Sequence, residues 1–101
     1  MSYRVWIDPE ALAEAKATPG NVRQRIKRAM LALETDPRPG GSTALDWPPE
    51  SFEPRRLRLD DWRIVYAVND HEHWVHILAV RKRPLYDYGD LADLLSQLTS
   101  K

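Results

Sequence analysis

The chain contains no cysteine, so neither a disulfide nor a thiolate metal site is open to it. It also lacks net charge. Fifteen lysine and arginine residues balance fifteen aspartate and glutamate residues, so bulk charge does not advertise a polyanionic partner. No apolar run approaches the roughly 20 residues of a membrane span, and the N-terminus shows no signal-peptide pattern. Repeats and low-complexity segments are missing too. These absences leave one domain over residues 1–101, with no membrane partner and a cytoplasmic location expected. Its 43% hydrophobic content and four tryptophans suffice for a small core.

The charge that is present is unevenly placed. Arg23, Arg25, Lys27, Arg28, Arg55, Arg56, Arg58, Arg63, Arg81, Lys82 and Arg83 hold most of the positive charge. Much of the acid sits near the ends and in the turns, at Glu10, Glu14, Asp87, Asp90 and Asp93. Local field steers a polyanion more than net charge does.

Residues 2–7, SYRVWI, alternate Tyr3, Val5 and Ile7 against Arg4 and Trp6, the period of a strand. Asp8-Pro9-Glu10 then starts a helix, with Asp8 as cap and Pro9 in the first turn, and Thr18-Pro19-Gly20 ends it. A second helix is predicted from about Asn21 to Thr35, with Val22, Ile26, Ala29 or Met30, and Leu33 as its apolar stripe. Residues 36–54 are rich in proline and glycine, which predicts a long loop without regular structure, anchored by Trp47 and Phe52.

Strands are predicted at about 55–60, 62–69 and 73–82, joined by tight turns at Asp60-Asp61 and at 69–72, hence an antiparallel meander. Period two puts Arg56 and Arg58 on one face and Leu57 and Leu59 on the other. In the middle strand Trp62, Ile64, Tyr66 and Val68 share a face, opposite Arg63, Val65 and Ala67. In the last strand the same count puts Arg81 with Val75, Ile77 and Ala79. Leu91, Leu94, Leu95 and Leu98 are spaced for one face of a terminal helix capped by Asp90. The expected fold is α+β: an N-terminal strand, a helical hairpin, a three-stranded antiparallel meander and a C-terminal helix. Helices would cover the leucine and isoleucine face and leave the arginine face open to an anion, RNA foremost.

The N-terminal YRVWIDPEA, the segment RQRIKRAMLALETDPRPGG, the core RLRLDDWRIVYAV and the stretch VHILAVRKRPLY together resemble the RelE/ParE superfamily of toxins from bacterial toxin–antitoxin systems. The resemblance covers nearly the whole length and implies the RelE-like microbial RNase fold. For the RelE-like branch it implies a metal-independent endoribonuclease that cuts mRNA on the ribosome and so inhibits translation. For the ParE-like branch it implies a non-enzymatic inhibitor of DNA gyrase. A degenerate member would serve only as an antitoxin-binding co-repressor. The implied partners are a cognate antitoxin, the ribosome and mRNA, with operator DNA reached only through the antitoxin. No cofactor is implied.

Carried onto this chain, the resemblance makes Arg56, Arg63, Arg83 and Tyr86 the catalytic candidates, with Tyr88 competing for the tyrosine position. Arg63 would clamp phosphate, since guanidinium binds it bidentately, and Arg83 would help stabilise developing charge or donate a proton to the leaving group. Arg58, Arg81, Lys82 and Tyr88 would bind RNA. Pro54 stands where the nuclease pattern has a lysine, and a site made of arginines favours electrostatics over proton transfer. Arg56, Arg58 and Arg63 fit equally well a surface that pairs with acidic residues of an antitoxin. His71 and His73 share parity while His76 points the other way, so a three-ligand metal site is not expected.

Overall fold

Asp8 begins the first helix: its Oδ1 accepts the Glu10 backbone N–H at 3.0 Å, and Pro9 occupies the first turn, where its missing N–H costs nothing. The computed structural model describes residues 2–46, 51–82 and 95. The elements run β1 (Arg4–Ile7), α1 (Pro9–Lys16), α2 (Gly20–Ala32), β2 (Ser42–Ala44), β3 (Glu53–Leu59), β4 (Trp62–Asn69) and β5 (Trp74–Lys82). No helix among the described residues is long and apolar enough to cross a membrane.

The meander of β3, β4 and β5 forms as the alternation predicts, but it is the middle of a larger sheet. The order is β1-β5-β4-β3-β2, with β1 parallel to β5 and the other neighbours antiparallel. The loop of residues 36–54 therefore corrects one expectation, since it contains β2. Gly41, at φ 91°, allows the tight reversal; the Ser42 N–H donates to the Pro39 carbonyl, and the Arg58 N–H donates to the Gly41 carbonyl. Three residues between proline and glycine carry too little pattern to announce a strand.

Between β3 and β4 the chain reverses at Asp60-Asp61, with Asp60 at φ 54°, a conformation aspartate tolerates better than most residues. Between β4 and β5 the Asn69 side chain accepts the Glu72 N–H at 2.8 Å.

Both helices lie on one face of the sheet. Ile26, Met30 and Leu33 of the α2 region and Ala11 and Ala15 of α1 are buried with Leu57, Ile64, Tyr66, Val68, Val75, Ile77 and Val80. Tyr3, Val5, Ile7 and Trp62 pack against the same cluster, as their parity predicts. The opposite face is not open along its length. Phe52, Val65, Ala67, Leu78, Ala79 and Leu95 form a second buried cluster there. Leu95 is helical and 1% exposed; Asp90, Leu91, Leu94 and Leu98, the rest of the predicted terminal helix, lie outside the described residues, as does Trp47.

A bulge corrects the face assigned to Arg81. Val65 pairs with Ala79 and Tyr66 with Ile77, so Leu78 is an extra residue in β5. Parity reverses there. Val75, Ile77 and Val80 face the helices, whereas Ala79 and Arg81 belong to the other side.

Candidate functional site

Strand register assembles the basic residues. In β3, Arg56 and Arg58 alternate with Leu57 and Leu59, which pack toward the helices, so the two arginines occupy the opposite face. Arg58 pairs across the ladder with Arg63 of β4, and Arg63 pairs with Arg81 of β5. Three arginines thus stand in one row across three adjacent strands, with Arg56 beside Val65 two residues along the same face. Like charges directly opposite each other on a sheet are destabilising. Register thus brings Arg58, Arg63 and Arg81 into one row, with Arg56 on the same face beside it.

The members of the row are not equivalent. Arg58 is exposed, and Arg56 and Arg81 are partly buried. Arg63 is only 4% exposed, and its Nη1 donates to the carbonyls of Asp60 (2.7 Å) and Trp62 (2.8 Å), so it braces the β3–β4 turn from within. Arg81 Nε lies 3.5 Å from Glu14 Oε2. Glu14 also closes an edge: β1 ends opposite Ile77, and beyond that point the Val80 N–H donates to Glu14 Oε1 at 2.9 Å.

Lys82 is not brought to the row. Its register partner is Trp62, which packs on the helix side, and it lines a cleft there with Glu14, Val80 and Arg81, the Arg81 guanidinium reaching Glu14 at the edge of β5. His73 sits before β5 at φ 58°, stacked on Tyr3 at 5.0 Å between ring centroids, at the far end of the sheet from Arg81. Arg83, Tyr86 and Tyr88 lie outside the described residues.

A second set of charged residues was not singled out from the sequence. Arg38 donates to Asp70 through Nη1 (3.1 Å) and Nη2 (2.8 Å) and to Glu53 Oε1 through Nε (3.1 Å). Tyr3 Oη donates to the same Asp70 at 2.7 Å. The hydrogen bonds from Arg38, and then from Tyr3, hold the Asp70 carboxyl below the usual carboxylate range. The hydrogen bond to Asp70 in turn raises the Tyr3 phenol. Arg55 turns to the helix side, donating to Glu53 Oε1 and Ser42 Oγ, near the buried Tyr66 hydroxyl that donates to the Pro37 carbonyl at 2.8 Å. Burial pushes the Tyr66 phenol up. This network ties the loop after α2 to the β4–β5 turn, and nothing in local sequence spacing joins Arg38 to Asp70. Arg25 and Asp60 form an ion pair on the surface, which holds the Asp60 carboxyl low.

The chain matches known proteins along most of its length. A family model described as the ParE toxin of the type II toxin–antitoxin system parDE matches residues 7–84. Among solved structures, the chain is similar to one titled as an archaeal RelE–RelB complex from Pyrococcus horikoshii OT3. That match has 26% identity and a TM-score of 0.75, covering 85% of this chain and 100% of that one. The RelBE2 toxin–antitoxin complex from Mycobacterium tuberculosis matches at 19% identity with a TM-score of 0.68, over 82% of this chain and 100% of that one. The intact Escherichia coli RelBE complex matches at 26% identity with a TM-score of 0.61, over 79% of this chain and 95% of that one. A search of curated proteins finds no match. The mixed sheet, the helices on one face and the 78-residue family match (84 − 7 + 1) agree: the chain belongs to the ParE toxin family within the RelE/ParE superfamily, toxins of type II toxin–antitoxin systems.

Proposed function

We propose that the protein is an endoribonuclease that cuts mRNA during translation, and that an antitoxin silences it by covering the arginine-bearing face. The observation that carries this reading is the row Arg58–Arg63–Arg81. Arg58 stands exposed opposite Arg63, with Arg81 held beside Glu14 at the end of the row, and an anionic ligand laid across Arg56 and Arg58 meets the positive charge gathered there. A strand of RNA supplies phosphates at a spacing that can meet more than one of them. The likeness to RelE in its complexes with RelB also supports the reading.

In this proposal the exposed Arg58 and the partly buried Arg56 bind phosphate, and Arg63 holds positive potential beneath them without itself leaving the turn it braces. The reaction is attack of a ribose 2′-oxygen on the adjacent phosphorus. The bond to the 5′-oxygen breaks, leaving a 2′,3′-cyclic phosphate and a 5′-hydroxyl. One proton leaves the 2′-hydroxyl and one reaches the 5′-oxygen. Arginine serves the charge on the phosphorane and is a poor proton carrier, so proton transfer is assigned to Tyr86, with Tyr88 as the competing position. Arg83 adds charge stabilisation.

The match to the ParE toxin model favours a second reading, a toxin that inhibits DNA gyrase without cleaving nucleic acid. One pair of assays separates the two. The protein is added to a purified translation system and, separately, to a gyrase supercoiling reaction. Arrested translation with normal supercoiling supports the nuclease; blocked supercoiling with full translation overturns it.

A further inference from the structure

Trp6 and Trp74 lie on the same sheet face as the arginine row, at its other end. In β1, Tyr3, Val5 and Ile7 pack into the main core, so Arg4 and Trp6 belong to the opposite face. In the parallel ladder Arg4 pairs with Trp74 and Trp6 with His76, which makes Trp6 and Trp74 diagonal neighbours, within reach of aromatic side chains. Trp6 is 56% exposed, a large apolar ring left in water on an edge strand. Trp74 packs against the second cluster, and its indole N–H donates to Glu72 Oε2 at 3.1 Å, which fixes the plane of the ring. The two indoles line a cleft of about 580 Å³ with Asn69, His71, Glu72 and His76. On the flank that carries Arg4 they line a second cleft of about 450 Å³.

We infer that Trp6 and Trp74 form a stacking platform for the bases of single-stranded RNA. The inference rests on the nuclease reading and extends its substrate site. Every base has a π-face, so a pair of indoles holds unpaired bases without regard to sequence. His76, partly buried with its Nε2 3.8 Å from Asp8 Oδ2, and Asn69, 4% exposed with its side-chain oxygen accepting the Glu72 N–H, form the polar wall of the cleft. Arg4, next to Trp74 in register, meets the phosphate that accompanies the base. Six residues along β5, one of them a bulge, separate Trp74 from Arg81, a path of about 20 Å at strand rise. The face thus offers base contacts at one end and phosphate contacts at the other, and between them the second buried cluster covers the sheet, so a single strand would bridge over that cluster rather than lie on the strands. A duplex, whose bases are already stacked, gains nothing from the indoles.

The test is a titration of the full-length protein with a mixed-sequence single-stranded RNA dodecamer, followed by fluorescence anisotropy at several salt concentrations. Trp6→Ala should weaken binding about tenfold, the scale of one lost base–aromatic stack, with the salt dependence unchanged because no phosphate contact is removed. Trp6→Phe should keep most of the affinity. Arg58→Ala should instead reduce the salt slope. Wild-type affinity in Trp6→Ala, with normal binding by the wild type, overturns the platform and leaves the nuclease reading standing. No binding by the wild type overturns the platform, and the nuclease reading is then decided separately by the translation assay. Loss of antitoxin affinity in Trp6→Ala with unchanged RNA affinity overturns the platform in favour of a protein-docking site.

Discussion

Replacing Arg58 by threonine should stabilise the fold while impairing the toxin. Arg58 stands opposite Arg63, which stands opposite Arg81, so the substitution removes the exposed charge from a row of three. Unit charges at the separations of a cross-strand pair repel by roughly 0.5–1 kcal/mol in water. Arg58 also attracts Asp60, a weaker influence on that carboxylate than Arg25 is, and this offsets part of the gain. Threonine adds the strand preference of a β-branched residue on a pleated surface. A net gain of about 0.5–1 kcal/mol is expected, which for a domain of this size raises the melting temperature by about 2–8 °C. Thermal melts in 50 mM and 1 M NaCl make the test specific, because salt shortens the Debye length to about 3 Å and should erase the electrostatic part of the gain. A loss of stability at low salt refutes the argument, and so does a gain that salt leaves untouched.

Other parts of the structure yield narrower predictions. Tyr66→Phe leaves the buried Pro37 carbonyl without the hydroxyl that serves it, and should cost about 1–2 kcal/mol by urea denaturation; an unchanged midpoint would show that water replaces the bond. Glu14→Ala removes the acceptor for the Val80 N–H on the open edge of β5, so hydrogen exchange at Val80 should accelerate at least tenfold while β4 amides stay protected. Asp70 has its folded pKa depressed by Arg38 and Tyr3, so its contribution to stability is full above the unfolded value of about 4 and is lost as pH falls through the folded value. Asp70→Asn should therefore cost at most about 1 kcal/mol at pH 7, since the pair is largely exposed, and the gap to wild type should close below about pH 4. A gap that persists at pH 2 contradicts the linkage.

How much of this was legible in the sequence depends on whether neighbours in space are also neighbours in the chain. Asp8-Pro9 announced α1, and Asp60-Asp61 announced the β3–β4 turn, because capping and turn chemistry act over two or three residues. The faces of β3 and β4 followed from alternation, since leucine against arginine marks each side plainly. The bulge at Leu78 could not be read, because the run Ile77-Leu78-Ala79-Val80 is apolar on both parities and an added residue disturbs no pattern. Only pairing with β4 reveals it. The parallel contact of β1 with β5 spans about seventy positions, so the alternation of Arg4 and Trp6 was visible while their partners Trp74 and His76 were not. The basic residues were identifiable by type, but the burial of Arg63 came from a turn carbonyl within reach of its own guanidinium.

The assignment of the arginine row to RNA cleavage is tested most directly by the ends of a defined message recovered from a purified translation reaction. Primer extension on that message should show discrete new 5′ ends bearing hydroxyl groups, with 2′,3′-cyclic phosphate on the upstream fragments. Arg58→Ala should suppress those ends at least tenfold while antitoxin binding persists. Intact message alongside arrested translation, or full cleavage by Arg58→Ala, contradicts the account.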